Sequence, residues 1–152
     1  MSDLAQRWAP HVTVATVVAD GDRLLLVQET IDGRHVLNQP AGHLEPGESL
    51  AEAAVRETLE ETGWDVELNA FIGCYQWRAP DGTGFLRFCY AARPLRYHPE
   101  RVLDTGIEAA LWLTTTELQA RHEQLRSPLV WQAVVDHLAG QRHPLGMVKE
   151  VA

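Results

Sequence analysis

Three glutamates, Glu57, Glu60 and Glu61, stand three and four residues apart in the run Arg56-Glu57-Thr58-Leu59-Glu60-Glu61. On an α-helix such positions share one face, so the three carboxylates project together. Glu57 and Glu61 repel as like charges one helical turn apart, at a cost of about 0.2–0.5 kcal/mol. A dication between them reverses that sign. Hard cations such as Mg²⁺ take oxygen ligands and accept phosphate oxygens beside carboxylates. Taken alone, an acidic run of this kind is an ordinary solvated helix face.

The run is not alone. Gly42 is followed after five residues by Glu48, after seven more by Arg56-Glu57, and then by Glu60-Glu61 and Gly63-Trp64. With residue frequencies of roughly 5–7%, chance supplies such a pattern about once in a million chains of this length. The stretch 42–64 resembles the box of the Nudix family, with Thr58 where an aliphatic residue is more usual. The resemblance implies hydrolysis of a nucleoside diphosphate linked to another moiety, with Mg²⁺ as cofactor and Mn²⁺ as a substitute. It implies Glu57, Glu60 and Glu61 as metal ligands, completed by the backbone carbonyl of Ala41. Arg56 and Glu48 are expected to pair and hold the loop against the helix, orienting the ligands without touching substrate. Glu108, at the end of a distal loop, is either the general base or an ordinary surface acid.

Beyond the box, Pro10 to Ala15, Asn38 to Glu45, Gln76-Trp77, Ala79-Pro80-Asp81, Phe85 to Phe88, Leu125 to Val130, Gln141-Arg142 and Pro144-Leu145 are similar to a bacterial phosphatase branch of that family. The likeness runs from Pro10 to about Leu145. It implies release of orthophosphate from nucleoside tri- and diphosphates, hydroxymethylpyrimidine diphosphate and thiamine diphosphate. Pro46-Gly47 and Arg78 depart from the branch. Among substrate contacts, Trp77 either stacks a ring or belongs to the core. Arg87 binds a phosphate or pairs with an acid, and His43 reaches the phosphates or is structural. The competing enzyme is an ADP-ribose-type pyrophosphohydrolase cutting an internal bond, for which Pro80 is the clue. A turn explains Pro80 equally well. A ligand sensor without catalysis is disfavoured because every box acid is present.

The elements that must position these residues are legible. Ser49-Leu50-Ala51-Glu52 reads as a capping box, and Gly63 fits the left-handed position that ends a helix. The helix is therefore about Leu50 to Thr62, roughly 20 Å long. Leu50, Val55 and Leu59 are its expected apolar contacts, with Ala51, Ala53 and Ala54 allowing close approach. The segment before it, with Gly42, Pro46 and Gly47, is a loop.

His11 to Ala19 is apolar and β-branched on both faces, which predicts a strand covered on both sides. Asp20-Gly21, Asp32-Gly33 and Asp81-Gly82 are hairpin signals flanked by strands at Arg23 to Thr30, around His35 to Leu37, Asp65 to Arg78 and Phe85 to Arg93. Pro94 to Gly106 reads as a loop, Glu108 to Leu113 as a strand, and Thr114 to about Leu125 as a helix. Ser127-Pro128 opens a last helix ending before Gly140. The tail after Leu145 is expected to be loose. The order fits an α+β chain with a mixed sheet between helices. The family resemblance makes it an α/β/α sandwich, one domain over 1–152 with its core at about 10–145.

Hydrophobic residues at 45% and charged residues at 22% describe an ordinary globular chain. The net charge of −8 argues against nonspecific binding of nucleic acid or anionic membranes, which needs a basic surface. It leaves an acidic small-molecule substrate open, since a bound metal is the local attractor. Cys74 and Cys89 read as small buried hydrophobes in a reduced protein. No signal peptide opens the chain and no run approaches a membrane span, so a cytoplasmic monomer or homodimer is expected.

Overall fold

A computed structural model of the chain describes residues 7–152. The reading of residues 1–6 as free of a leader lies outside that range. Strand β1, His11–Asp20, is buried without a break from Thr13 to Val18. Its β-branched run is covered on both faces, with Val14 and Val18 packing toward one helical layer and Ala15 and Val17 toward the other.

β2 (Arg23–Ile31), β3 (Arg34–Asn38) and β4 (Ala41–His43) follow, then helix α1 (Leu50–Thr62). β5 (Trp64–Arg78), β6 (Gly84–Tyr97) and β7 (Ile107–Thr114) come next, then the short helix α2 (Thr115–Ala120) and helix α3 (Pro128–Leu138). The strands form a seven-stranded mixed sheet along β3-β2-β1-β6-β5, with β4 on β1 and β7 on β2. β1 and β6 run parallel; the remaining pairs are antiparallel. β4 shares an edge of β1 with the hairpin partner β2, pairing only at Thr13 to Ala15.

The two helical layers have different chemistry. α3 buries Val130, Ala133 and Val134 against Ala15, Val17, Ile72, Cys89 and Ala91. α1 buries Ala53, Ala54, Thr58 and Thr62. Leu50 and Val55 make the expected apolar contacts at its margins, packed against the buried clusters, whereas Leu59 is half-buried outside them. Small residues bring α1 close to the sheet. The Thr58 hydroxyl donates to the Ala54 carbonyl at 2.7 Å and bonds the Thr16 hydroxyl of β1 at 2.8 Å. An aliphatic there would leave Thr16 without that partner.

The caps explain where α1 begins and ends. The Ser49 hydroxyl accepts from the Glu52 N–H at 3.1 Å. Gly63 closes the helix at φ 78°, a conformation that costs a side chain and is free to glycine.

Several boundaries move. β6 continues to Tyr97, so the loop shrinks to residues 98–106. α2 stops at Ala120 and gives way to a 3₁₀ turn, His122–Gln124. The tail is anchored: His143 and Phe71 exchange backbone hydrogen bonds at 2.9 Å, and Val148 packs on the Phe71–Tyr90 cluster. Cys89 is buried as expected, but Cys74 is exposed. No helix among the described residues is long and apolar enough to cross a membrane.

Candidate active site

The acidic face of α1 lies against β4. The N–H of Ala41 is not used by β1 and donates to Glu61 Oε1 at 2.8 Å. A Cβ on Gly42 would overlap the carboxyl carbon and both oxygens of Glu57. The box glycine leaves room for the Glu57 carboxylate, which a side chain there would displace.

Arg56 ties the loop to the helix. Its Nε and Nη2 grip Glu48 at 2.9 and 2.7 Å, a two-point ion pair. Nη1 bridges Glu57 and Glu60 at 2.8 and 3.1 Å, and Nη2 also donates to the His43 carbonyl at 3.1 Å. Glu48 in turn accepts from the Glu45 N–H at 2.8 Å. The expected Arg56–Glu48 pair is therefore present, and Glu60 is held by the same guanidinium.

Carboxylate oxygens of Glu57, Glu61 and Asp104 all lie within 4.8 Å of one another. Asp104 escaped the sequence reading. It sits on the loop after β6, where its N–H donates to the Glu60 carbonyl at 3.1 Å. No spacing rule links it to the box. Glu108, the acid expected from that side of the chain, stands outside the group: it accepts from Gln28 at 3.1 Å and bonds His35 at 3.1 Å on the exposed surface. Glu60 also lies outside it.

The group is electrostatically frustrated. Burial pushes the Glu61 carboxyl up to about 8, and the charges of Glu57, Glu29 and Asp104 add to this against the Ala41 hydrogen bond. Glu57 is also raised, chiefly by burial, although Arg56 opposes the rise. Three converging carboxylates of which two resist ionisation are a donor set that fits a divalent cation, as hard-metal sites require.

Beside the group, a cavity of about 410 Å³ opens between β4, the β5–β6 hairpin and the start of α3. Its walls include Gly42, His43, Trp77, Phe85, Arg87 and Arg126. Trp77 is half-buried and stacked on Phe85, with ring centroids 5.7 Å apart. His43 is exposed and its ring meets His11 at 3.2 Å. Arg87 is 6% exposed and bonds Asn38 Oδ1 at 3.1 Å and Gln39 Oε1 at 3.2 Å, not an acid. Burial above all disfavours its charge; Arg126 adds to this and Glu61 opposes it. Arg126 itself pairs with Glu29 at 3.0 Å. Pro80 sits in the β5–β6 turn, where the Gly82 N–H donates to the Ala79 carbonyl at 2.9 Å, and Arg78 is exposed. The turn alone accounts for the proline.

A sheet flanked by helices, an acid-bearing loop-helix-loop and a glycine seated under a carboxylate define a metal-assisted phosphohydrolase scaffold. Residues 9–132 match the NUDIX domain, and the chain belongs to the Nudix family; it is a Nudix hydrolase. It is 47% identical over 140 residues to phosphatase NudJ of Escherichia coli (strain K12), covering 91% of this chain and 90% of that protein. To phosphatase NudJ of Shigella sonnei it is 45% identical over 139 residues, with the same coverage. The solved NUDIX hydrolase from Nitrosomonas europaea superposes with a TM-score of 0.91 at 43% identity, covering 94% of this chain and 98% of that one.

Proposed function

We propose that the chain is a Mg²⁺-dependent phosphatase that releases orthophosphate from nucleoside tri- and diphosphates and from hydroxymethylpyrimidine and thiamine diphosphates. The observation that carries this reading is the group Glu57, Glu61 and Asp104 opening beside a cavity that also holds Arg87 and Trp77. The likeness to the NudJ phosphatases over nine-tenths of the chain supports the choice of substrate class.

In this reading Glu57, Glu61 and Asp104 hold the cation, with the Ala41 carbonyl completing the shell and Glu60 adjoining it. Mg²⁺, or Mn²⁺ in its place, neutralises phosphoryl oxygens and acidifies a bound water. Arg56 and Glu48 fix the ligand carboxylates, so that no reorganisation is needed when charge develops. Trp77 offers its face to the base or pyrimidine ring, and His43 stands at the rim on the phosphate side. The proton of the attacking water passes to one of the same carboxylates. Glu108 takes no part. The free thiols Cys74 and Cys89 suit a reducing compartment, so the reading places the enzyme in the cytoplasm.

The test is incubation of the purified protein with Mg²⁺ and GTP, GDP, hydroxymethylpyrimidine diphosphate or ADP-ribose, with orthophosphate read with and without added pyrophosphatase. Orthophosphate without the helper is the expected result. Orthophosphate from GTP only with the helper means pyrophosphate release, and AMP from ADP-ribose alone means internal cleavage; either overturns the proposal.

A further inference from the structure

The cavity is lined by a buried cation that no described carboxylate pairs with directly. Arg87 is among the most buried charged groups, 6% exposed, yet no described carboxylate pairs with it. Both of its hydrogen bonds use Nη2 and end on neutral amide oxygens, those of Asn38 and Gln39. No buried side-chain nitrogen or oxygen among the described residues lacks a partner. The Nε and Nη1 atoms of Arg87, which bond no described residue, therefore open onto the cavity that Arg87 lines.

A buried, unpaired cation costs several kcal/mol in desolvation and is kept only where something repays it. The fold invests further in this one. Gln39 is 2% exposed and spans the gap between Arg87 and the first turn of α3, donating to the Val130 carbonyl at 2.8 Å. That fixes the guanidinium beside the N-terminus of an eleven-residue helix, whose cap Ser127 also lines the cavity. Arg126 lines the same wall but is paired there with Glu29, and Asp81 stands on the hairpin side. A helix N-terminus and a buried guanidinium without a carboxylate partner converge on one space, and both favour anions.

We infer that Arg87 and the N-terminus of α3 form a subsite for a free phosphate terminus, in the cavity that adjoins the acidic group at Ala41 and Gly42. The inference rests on the proposed reaction and deepens it. A diphosphate entering past Gly42 puts one phosphoryl group toward the acidic face and its uncapped end at Arg87. A terminal phosphate carries up to two charges, whereas each phosphoryl of a diphosphate capped at both ends carries one. A buried cation and a helix dipole discriminate on that difference. The subsite thus selects di- and triphosphates with a free end over capped diphosphates such as ADP-ribose.

Metal-free protein in EDTA tests the subsite apart from catalysis. Calorimetric titration should show ADP binding at least about tenfold more tightly than ADP-ribose, the preference expected of a charge-assisted contact. Arg87→Met should bring that ratio close to one. Its urea midpoint serves only to show that the variant folds, since losing a buried charge and orphaning the buried Gln39 amide oxygen oppose each other. Arg87→Lys, which keeps charge and loses the fork, should retain only part of the preference. Glu61→Gln should keep the metal-free preference while losing Mn²⁺ binding and at least about 10²-fold in turnover. An unchanged ratio in Arg87→Met, or equal binding of the two nucleotides by the wild type, overturns the subsite. Normal turnover in Glu61→Gln would instead sink the metal reading and leave the subsite standing.

Discussion

Gly42→Ala separates a spatial account of the box glycine from a merely conformational one. The added Cβ would fall on the Glu57 carboxyl group, far inside the roughly 3.5–4.0 Å of ordinary carbon contact. The carboxylate must therefore retreat by more than about 1 Å. A cation held by Glu57 would lose that ligand, because Mg²⁺ tolerates little change in its oxygen distances. Because the carboxylate ends a flexible side chain, the stability cost falls at the low end of the about 1–3 kcal/mol of overpacking. The variant should lose at least about tenfold in Mn²⁺ affinity, the scale on which even supporting contacts act at metal centres, and at least about 10²-fold in turnover. Urea denaturation of wild type, Gly42→Ala, Glu57→Ala and the double variant completes a thermodynamic cycle. In the Glu57→Ala background there is no carboxylate to strike, so Gly42→Ala should cost less than about 0.5 kcal/mol. A penalty equal in both backgrounds, or a Gly42→Ala protein that binds Mn²⁺ normally, would refute the reasoning.

Glu61 makes metal binding pH-dependent. Its carboxyl, raised to about 8 in the metal-free protein, favours the fold while protonated; that contribution is complete below the unfolded value and lost as pH rises through about 8. A ligand must be deprotonated, so the gain in melting temperature from Mg²⁺ should grow across the same window and level off above it; a gain that is flat with pH contradicts this. Thr58→Val keeps shape and removes the partner of Thr16 inside the core, so a loss of about 1–3 kcal/mol is expected by urea denaturation, and a neutral result means the Thr16–Thr58 bond is unimportant. Asp104→Asn should weaken Mn²⁺ binding, whereas Glu108→Gln should leave both binding and turnover within about twofold of wild type, since Glu108 is spent on Gln28 and His35; the reverse ranking would return the catalytic acid to Glu108.

What the sequence makes legible is what local spacing encodes. The helix carrying Glu57 and Glu61 announces itself through Ser49, Gly63 and the three-and-four rhythm of its acids. The buried strand at Thr13 to Val18 does so through a run that is β-branched at every position but Ala15. Residues brought in by tertiary structure carry no such signal. Asp104 joins the acids because the chain leaving β6 bonds back to the Glu60 carbonyl, a contact between positions with no periodic relation. Leu59 misleads for the opposite reason. Its helical phase suits packing, but the closeness of α1 to the sheet is set by Ala54 and Thr58, and the aliphatic is left half-exposed. Arg87 was visible as a charge in an apolar strand; whether it met an acid or a cavity depended on Asn38 and Gln39, nearly fifty residues away.

Those two residues belong to a short segment that organises both sides of the site. In Asn38-Gln39-Pro40-Ala41-Gly42-His43, the first two side chains hold Arg87 on the anion side. The Ala41 N–H orients Glu61, Gly42 makes room for Glu57, and the His43 carbonyl receives Arg56 on the acidic side. The segment is itself pinned, since the buried Pro40 carbonyl accepts from the Thr16 N–H at 3.1 Å and β4 pairs with β1. Glu61 and Arg87 lie on opposite sides of this stretch, Glu61 held by the Ala41 N–H and Arg87 by the Asn38 and Gln39 side chains, so the two do not pair with each other. In the proposed reading, the stability forgone by leaving them unpaired would be recovered when a polyphosphate and its cation enter together, the phosphate against Arg87 and the cation against Glu57 and Glu61. Binding of either component should therefore strengthen binding of the other, which is the arrangement a metal–nucleotide complex requires of its enzyme.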